Sequence, residues 1–377
     1  MIAFGVVSML GDLVYEGGRS ISGPYLATLG ASATVVGLVS GAGEAVSLVL
    51  RLATGRVSDA TGRHWALAIA GYAITMISVP LMALTRSVGP ASALVVSERF
   101  GKAVRSPSRD TMLAQASVDM GRGRAFALHE ALDQSGALAG PLLVAVMVAV
   151  SGYRLGFAVL AVPGALAMAA VIWLRRAVPH PAAYEPEAAR PVAVAAHGHG
   201  FPARFWLYSG FTALTMTGFA TFAVLAYHLQ TQHVLSAPLI PVAYAAAMGA
   251  AALAALAAGA AYDRVGLRGM AVLPLLAALV PFLSFSTTPA LVWAGAVVWG
   301  VAMGVHESTM RAAVADLVPA DRRGAGYGAF TAVYGLAWLA GAGIIAALYS
   351  RSVGDAETFV VAVQAVALAA FVPLWTR

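Results

Sequence analysis

The chain has 377 residues, of which 60% are hydrophobic and only 11% charged, and its mean hydropathy is +0.80. Soluble domains carry about 25% charged residues, so this composition excludes a soluble globular protein and predicts an integral membrane protein. The formal net charge is +6, but the arginines are spread over loops between apolar runs, which favours a membrane surface over nucleic acid as their partner. The lack of cysteine excludes disulfides and thiolate metal sites.

Charged, Pro-rich or Gly-rich breaks divide the chain into twelve apolar runs, each about as long as one bilayer crossing. They are predicted at 2–28, 33–54, 64–85, 90–116, 122–151, 153–175, 205–231, 237–261, 268–286, 289–315, 324–350 and 357–375. We expect helices, because backbone polar groups in lipid must be paired within their own segment. The first run contains Asp12 and Glu16 and no basic leader, so we expect a permanent span and not a cleaved signal.

Arginines in the loops predict the orientation of the chain. Loops after even-numbered runs hold Arg56, Arg63, Arg122, Arg124, Arg175, Arg176, Arg190, Arg204, Arg264, Arg268, Arg322 and Arg323, whereas loops after odd-numbered runs hold Arg86, Arg154 and Arg351. Because basic loops stay on the cytoplasmic side, both termini are predicted to be cytoplasmic, in the inner or plasma membrane of a cell.

A proline-rich stretch suggests that the chain is built from two halves. It predicts an N-terminal six-helix lobe at 1–175, a cytoplasmic linker at 176–204 and a C-terminal six-helix lobe at 205–377. The halves share a loop pattern, found after the second run and again about 200 residues later after the eighth. Its residues are Gly55, Asp59, Gly62 and Arg63 in the first copy and Gly259, Asp263 and Gly266 in the second. Duplicated halves are typical of secondary transporters.

This Gly-x-x-x-Asp-x-x-Gly-Arg loop resembles that of the major facilitator superfamily. The resemblance implies two parallel six-helix repeats around a central cavity that opens alternately to either side. It also implies that the loop residues of both copies form a conformational latch. In physical terms, glycines permit a tight turn, and Asp59 can cap a helix or pair with an arginine. A simple turn with solvated charges is the alternative.

A second motif, in the fifth run, consists of Gly136, Gly140 and Pro141. It resembles the Gly-x-x-x-Gly-Pro motif of proton-driven drug antiporters, although Leu142 follows where further glycines are usual. Small residues four apart let helices pack closely, and proline kinks a span. The motif favours efflux, and ordinary helix packing is the alternative explanation.

Ionisable residues inside the apolar runs are the candidates for proton coupling, because each costs about 2.5–3.5 kcal/mol at the centre of a span. They are Asp12, Glu16, Glu44, Glu98, Asp133 and His129. A buried carboxylate takes up a proton more readily when a cationic partner moves away. Static salt bridges between helices are the alternative for each carboxylate, and His129 either relays protons or bonds Asp133 one turn away.

Candidate substrate-binding residues are a further set of charged and histidine side chains in the spans. They are Arg19, Arg99, Lys102, Arg105, Glu130, His306 and Glu307. Glu98, Lys102, Arg105 and Arg109 recur at helical spacing, so they form a charged stripe that cannot face lipid. The nearby cations argue against a metal site, and no metal is predicted. No phosphate loop, His-Glu-x-x-His or Gly-x-Ser-x-Gly pattern is present, so we expect no enzyme.

Together these features predict a secondary active transporter that works by alternating access, with proton-coupled efflux (antiport) of a small organic compound as its function. Proton-coupled uptake (symport) of a small charged metabolite or organic anion is the alternative. No cofactor is expected, since the proton gradient supplies the energy. The expected partners are the small-molecule substrate, protons and the lipid bilayer, without nucleic acid, and the family resemblance favours a monomer.

Overall fold

A computed structural model of the chain describes residues 2–115, 122–181, 200–319 and 322–375, and within these ranges the regular structure is helical. The first seven α-helices are α1 (Ile2–Thr28), α2 (Ala33–Thr61), α3 (His64–Leu81), α4 (Val88–Gln115), α5 (Arg122–Val159), α6 (Ala161–Ala177) and α7 (Ala203–Thr217). The others are α8 (Phe222–Thr231), α9 (Leu239–Val265), α10 (Val272–Ser284), α11 (Pro289–Leu317), α12 (Arg323–Tyr349) and α13 (Val353–Trp375).

Twelve membrane crossings account for these helices. Among the described residues, eight helical segments are long and apolar enough to span a membrane. Two of them, Leu128–Ala177 with 50 residues and Leu239–Ser284 with 46, have about twice the length of one crossing, so each holds two spans. Helices α1 and α4 have spanning length as well, with charged side chains at their centres. The predicted all-α fold of twelve transmembrane helices is confirmed.

Two local breaks position the helices. Ser151 and Gly152 interrupt α5 with non-helical dihedrals, and the φ of Gly152 is +74°, a region that favours glycine. The fifth crossing therefore ends where the sequence predicts. The seventh crossing differs from the prediction of one run, because residues 218–221 are not helical and separate α7 from α8.

Contacts divide the chain into two compact units. Unit 1 contains Met1–Ser22 and Val46–Val194, and unit 2 contains Gly23–Ala45 and Ala195–Arg377. The predicted lobes and linker, at 1–175, 176–204 and 205–377, stay a prediction, and positions 182–199 of that linker lie outside the described residues.

Small residues bring helices into backbone contact within each unit. In unit 1, a Cβ atom on Gly71 of α3 would lie 2.6 Å from the carbonyl oxygen of Gly101 on α4. In unit 2, Gly300 of α11 lies against the backbone of Ala247 on α9 in the same way. Such close packing is the usual means of joining helices in lipid, where apolar burial gives no driving force.

Candidate functional site

Charged side chains of α1 and α4 meet in the interior of unit 1. Asp12 is 8% exposed and Arg105 fully buried, and Nη2 of Arg105 donates to Oδ1 of Asp12 over 3.3 Å. Gly11 makes room for this pair, because a Cβ atom there would lie 2.6 Å from Nη1 of Arg105. The guanidinium also lies 4.5 Å from the ring centre of Tyr72 on α3. One carboxylate and one aromatic face therefore hold Arg105.

A second polar connection joins α1, α4 and α5. Nη1 of Arg109 donates to the Ser8 hydroxyl over 2.8 Å, and that hydroxyl donates to Oδ1 of Asp133. Asp110 accepts from both Nε and Nη2 of Arg109 at 3.0 Å. Ser8 thus links an arginine to a carboxylate across three helices. Sequence reasoning missed Ser8, whose signal was its place one helical turn before Asp12.

The local pairing of His129 with Asp133 is not formed. His129 is 6% exposed, and neither of its ring nitrogens has a hydrogen-bond partner among the described residues. Asp133 is bonded to Ser8 of α1 instead. Of the two roles predicted for His129, the hydrogen bond to Asp133 is therefore wrong, and the proton relay stays a prediction.

Tyr15 of α1 forms a platform for two cations of α4. Its ring is 1% exposed, and its centre lies 4.5 Å from Cζ of Arg99 and 3.5 Å from Nζ of Lys102. Nε of Arg99 also lies 2.7 Å from Oε1 of Glu98. Lys102 has no carboxylate within ion-pair distance in the described part of the chain. Arg99 lies outside the predicted stripe and is nevertheless buried beside it.

We call the polar and aromatic side chains that meet inside unit 1 the charged cluster, which comprises Ser8, Asp12, Tyr15, Glu98, Arg99, Lys102, Arg105, Arg109 and Asp133. This cluster lies beside a close contact between α1 and α5. Gly136 and Gly140 of α5 lie against the backbone carbonyls of Met9 and Leu13 on α1. A side chain on either glycine would push the two helices apart, so this contact sets the distance between the helices that carry Asp12 and Asp133.

The other predicted site residues lie at varied positions. Glu16 lies one turn beyond Asp12, with Nη1 of Arg19 at 3.7 Å from its Oε1. Glu130 is exposed and accepts a hydrogen bond from Gln134 over 3.0 Å. Three further candidates belong to unit 2, where Glu44 of α2 and His306 of α11 are buried and Glu307 is exposed.

The two predicted latch loops each hold a glycine at positive φ. Gly62 after α2 has a φ of +62°, and Gly266 after α9 has a φ of +59°, a region that favours glycine. Asp59 and Arg63 are exposed. The Ser58 hydroxyl, which sequence reasoning missed, lies 2.7 Å from Nδ1 of His64 and 2.8 Å from the Ser108 hydroxyl. It ties the first loop to α4.

Replacing Ser8 by alanine is expected to destabilise the protein. The substitution removes the hydroxyl between Arg109 and Asp133 and leaves these two half-buried groups each short of one hydrogen bond, which costs about 1–3 kcal/mol. The thermal unfolding midpoint in detergent measures this loss. Ser135→Ala is the control, because the exposed Ser135 hydroxyl donates to the Ala131 carbonyl of its own helix and has no other partner among the described residues. Equal thermal unfolding midpoints for Ser8→Ala and Ser135→Ala would mean that the Ser8 hydroxyl does not stabilise the protein.

This geometry defines the class of the protein, which is a polytopic helical membrane protein with ion pairs buried inside its spans. The model of the Major Facilitator Superfamily matches residues 9–342 and 205–377, and the chain belongs to this family. The family prediction made from the loop motif is thereby confirmed. The chain is a multi-pass membrane transporter of the MFS type.

Relatives that match nearly the whole length of this chain come from mycobacteria. An uncharacterized protein of Mycobacterium tuberculosis and one of Mycobacterium bovis are each 49% identical over 375 residues, which is 97% of this chain and 90% of theirs. An uncharacterized MFS-type transporter of Methanocaldococcus jannaschii is 28% identical over 139 residues, covering 37% of this chain and 35% of that protein.

Solved structures of transporters share the fold. The nucleoside transporter NupG superposes with a TM-score of 0.77 at 14% identity over 100% of this chain and 99% of its own. A bacterial homolog to the human lysosomal transporter Spinster has a TM-score of 0.77 at 14% identity, over 99% and 95%. A POT family transporter in complex with 5-aminolevulinic acid has a TM-score of 0.77 at 13% identity, over 100% and 96%. At such identities the likeness concerns the fold alone.

Proposed function

We propose that this protein exports a small organic compound in exchange for protons by alternating access. The observation that carries the proposal is the buried pair of Asp12 and Arg105, whose side chains come from different helices. A carboxylate that is held by an arginine can take up a proton when the two helices separate, because its cationic partner then no longer offsets the cost of burying the charge. Asp133 is the second proton carrier, because it is tied to Arg109 through Ser8 in the same cluster.

The direction of transport is proposed from the fifth span. Gly136, Gly140 and Pro141 resemble the antiporter motif, and both glycines lie against the α1 segment that precedes and follows Asp12. A shift of α5 along this contact changes the surroundings of Asp12 and Asp133 together, which couples helix movement to protonation. The loops around Gly62 and Gly266 are proposed as latches that adjust the equilibrium between conformations.

The remaining expectations complete this proposal. The protein lies in the inner or plasma membrane with both termini cytoplasmic, as the distribution of basic loop residues indicates. It works as a monomer without a cofactor, and the proton gradient is its energy source. Its partners are the substrate, protons and the bilayer.

Uptake of an organic anion is the second candidate function, and one observation favours it. Lys102 lies over the Tyr15 ring, and no carboxylate of the described residues lies within ion-pair distance of it, so it can bind an anionic substrate. Arg99 lies over the same ring and supplies a second cation. Lys102→Gln is therefore expected to weaken anion-dependent proton movement at least about tenfold if this function holds, which is the effect of losing one charge-assisted hydrogen bond.

Proton movement in proteoliposomes tests the proposed function. The protein is reconstituted with a pH-sensitive dye inside, a pH gradient is imposed, and amphipathic cations, neutral drugs and organic anions are added in turn. Collapse of the gradient on addition of a cationic or neutral compound supports antiport. If only anions move protons, and in the same direction as themselves, anion symport replaces antiport. Protein-free liposomes control for compounds that carry protons unaided.

A further inference from the structure

Lys102, which is half-buried on α4, is the only lysine in the sequence. All the others among the 23 lysine and arginine residues are arginine. The guanidinium of arginine stays protonated in proteins, whereas the ammonium of a lysine away from water can lose its proton. Among these 23 side chains, only Lys102 can therefore change its charge.

The carboxylates around Lys102 are held by arginines. Nη2 of Arg105 lies 3.3 Å from Oδ1 of Asp12, and Nη1 of Arg19 lies 3.7 Å from Oε1 of Glu16. Both carboxylates interact electrostatically with Lys102 from α1, but within the described residues no carboxylate lies at ion-pair distance from its ammonium. Lys102 is thus the one cation of the charged cluster that has no ion pair in the described part of the chain.

Positive charges also surround Lys102. Arg99 and Arg105 lie three residues before and after it on α4, where side chains of a helix are neighbours and like charges repel. Arg51 of α2 interacts with it electrostatically as well. Because the arginines cannot release a proton, release by Lys102 is the change that relieves this repulsion.

The Tyr15 ring holds the Lys102 side chain in place. Nζ of Lys102 lies 3.5 Å from the ring centre, and Cζ of Arg99 lies 4.5 Å from the same centre. A ring face attracts an ammonium, and it still makes van der Waals contact with a neutral amine. Tyr15 can therefore hold Lys102 in either charge state, whereas a carboxylate partner would favour the charged one.

From these contacts we infer that Lys102 releases and rebinds a proton during transport, and so acts as a cationic proton carrier of the charged cluster. Nζ loses its proton to water on the side to which the transporter is open and takes up another from the opposite side, while Arg99 and Arg105 stay charged. The inference rests on the proposed function in that protons move through unit 1. It adds a carrier that is an amine instead of a carboxylate.

Carbon-13 NMR of the single lysine tests its charge state. Protein expressed with carbon-13 lysine and a lysine-free tag gives one labelled side chain, whose Cε shift distinguishes the ammonium from the amine. The protein is titrated in detergent micelles without a gradient, beside N-acetyl-lysine amide in empty micelles. Lysine in water is still more than about 95% ammonium at pH 9, and we expect an amine fraction at least about tenfold larger in the protein. An amine fraction equal to that of the reference compound overturns the inference.

Lys102→Arg separates a proton carrier from a fixed positive charge. Arginine keeps the charge, and Arg99 shows that a guanidinium fits over the Tyr15 ring, but arginine cannot release a proton. Proton movement in proteoliposomes, driven by a compound that is active with the wild type, should fall to the level of protein-free vesicles, while the thermal unfolding midpoint is kept. Wild-type proton movement in Lys102→Arg makes Lys102 a fixed charge and contradicts the inference.

Arg351→Lys is the control for this exchange. It makes the reverse change at an exposed side chain, which lies 4.0 Å from Asp355, and its transport should equal that of the wild type. If Lys102→Arg loses its fold, the NMR titration of the wild type decides whether Lys102 changes its charge.

Failure of this inference and failure of the proposed function give different results. If Lys102 titrates in micelles but no compound moves protons in proteoliposomes, the antiport is removed and Lys102 remains a group that binds and releases a proton. If protons are exchanged while Lys102 stays an ammonium, Lys102 is removed as a carrier, and antiport through Asp12 and Asp133 is kept.

Discussion

Replacing Asp12 by asparagine is expected to abolish gradient-driven transport and leave the protein folded. Asparagine has the same shape, and its amide oxygen still accepts the hydrogen bond from Arg105, but it cannot bind and release a proton. Proton movement in proteoliposomes should fall to the level of protein-free vesicles. Exchange of labelled substrate without a gradient should persist, since that process needs no net proton transfer.

Asp355→Asn is the matched control for this prediction. It makes the same chemical change at an exposed pair, where Asp355 lies 4.0 Å from Arg351 one turn away, and such pairs contribute about 0.3–0.5 kcal/mol. Its transport should equal that of the wild type. Wild-type proton movement in Asp12→Asn would instead make the pair with Arg105 a static salt bridge, and the coupling assignment would be withdrawn.

Asp133→Asn extends the same prediction to the second carboxylate. Its amide oxygen can still accept from the Ser8 hydroxyl, so the connection to Arg109 is kept while the titratable group is lost. We expect gradient-driven flux to disappear here as well. Flux retained in Asp133→Asn but lost in Asp12→Asn would leave Asp12 as the single carboxylate of the cluster that carries a proton.

Replacing Gly140 by valine is expected to prevent correct folding. A Cβ atom at this position would collide with the Leu13 carbonyl oxygen and lie 3.0 Å from the backbone nitrogen of Gly17, and backbone atoms cannot rotate away. Helices α1 and α5 would have to separate, which breaks the contacts around Asp12 and Asp133 together. Overpacking of this kind costs about 1–3 kcal/mol or more. The yield of monodisperse protein by size-exclusion chromatography, and its unfolding midpoint, measure the effect.

Gly210→Val controls for the intrinsic cost of valine in a helix. Gly210 is exposed on α7, and no described atom lies within 4 Å of a Cβ atom built there. This variant should elute and unfold like the wild type. If both variants behave alike, the contact of Gly140 with α1 is looser than its geometry indicates, and the fifth-span motif does not determine packing.

The course of the chain through the membrane could be predicted from local patterns. A backbone in lipid must satisfy its own hydrogen bonds, so the lengths of the apolar runs indicate most of the helices, and the boundary near Gly152 follows from composition. The break at residues 218–221 escaped this reasoning, because the segment is apolar on both sides and the bond that supports it comes from Trp299, 79 residues away. Local patterns do not contain such a distant partner.

For the charged cluster, too, one part could be predicted from local patterns in the sequence and another part could not. The sequence by itself determined that unit 1 carries buried charges on α1, α4 and α5, since charged residues in apolar runs must find partners or water. Only the tertiary structure decided the partners. Asp12 pairs with Arg105, 93 residues away, because Gly11 leaves space for the guanidinium, and Asp133 bonds Ser8 instead of His129 because the glycines of α5 bring α1 within reach. Helical spacing relates residues within one helix, whereas ion pairs between helices depend on how their backbones pack.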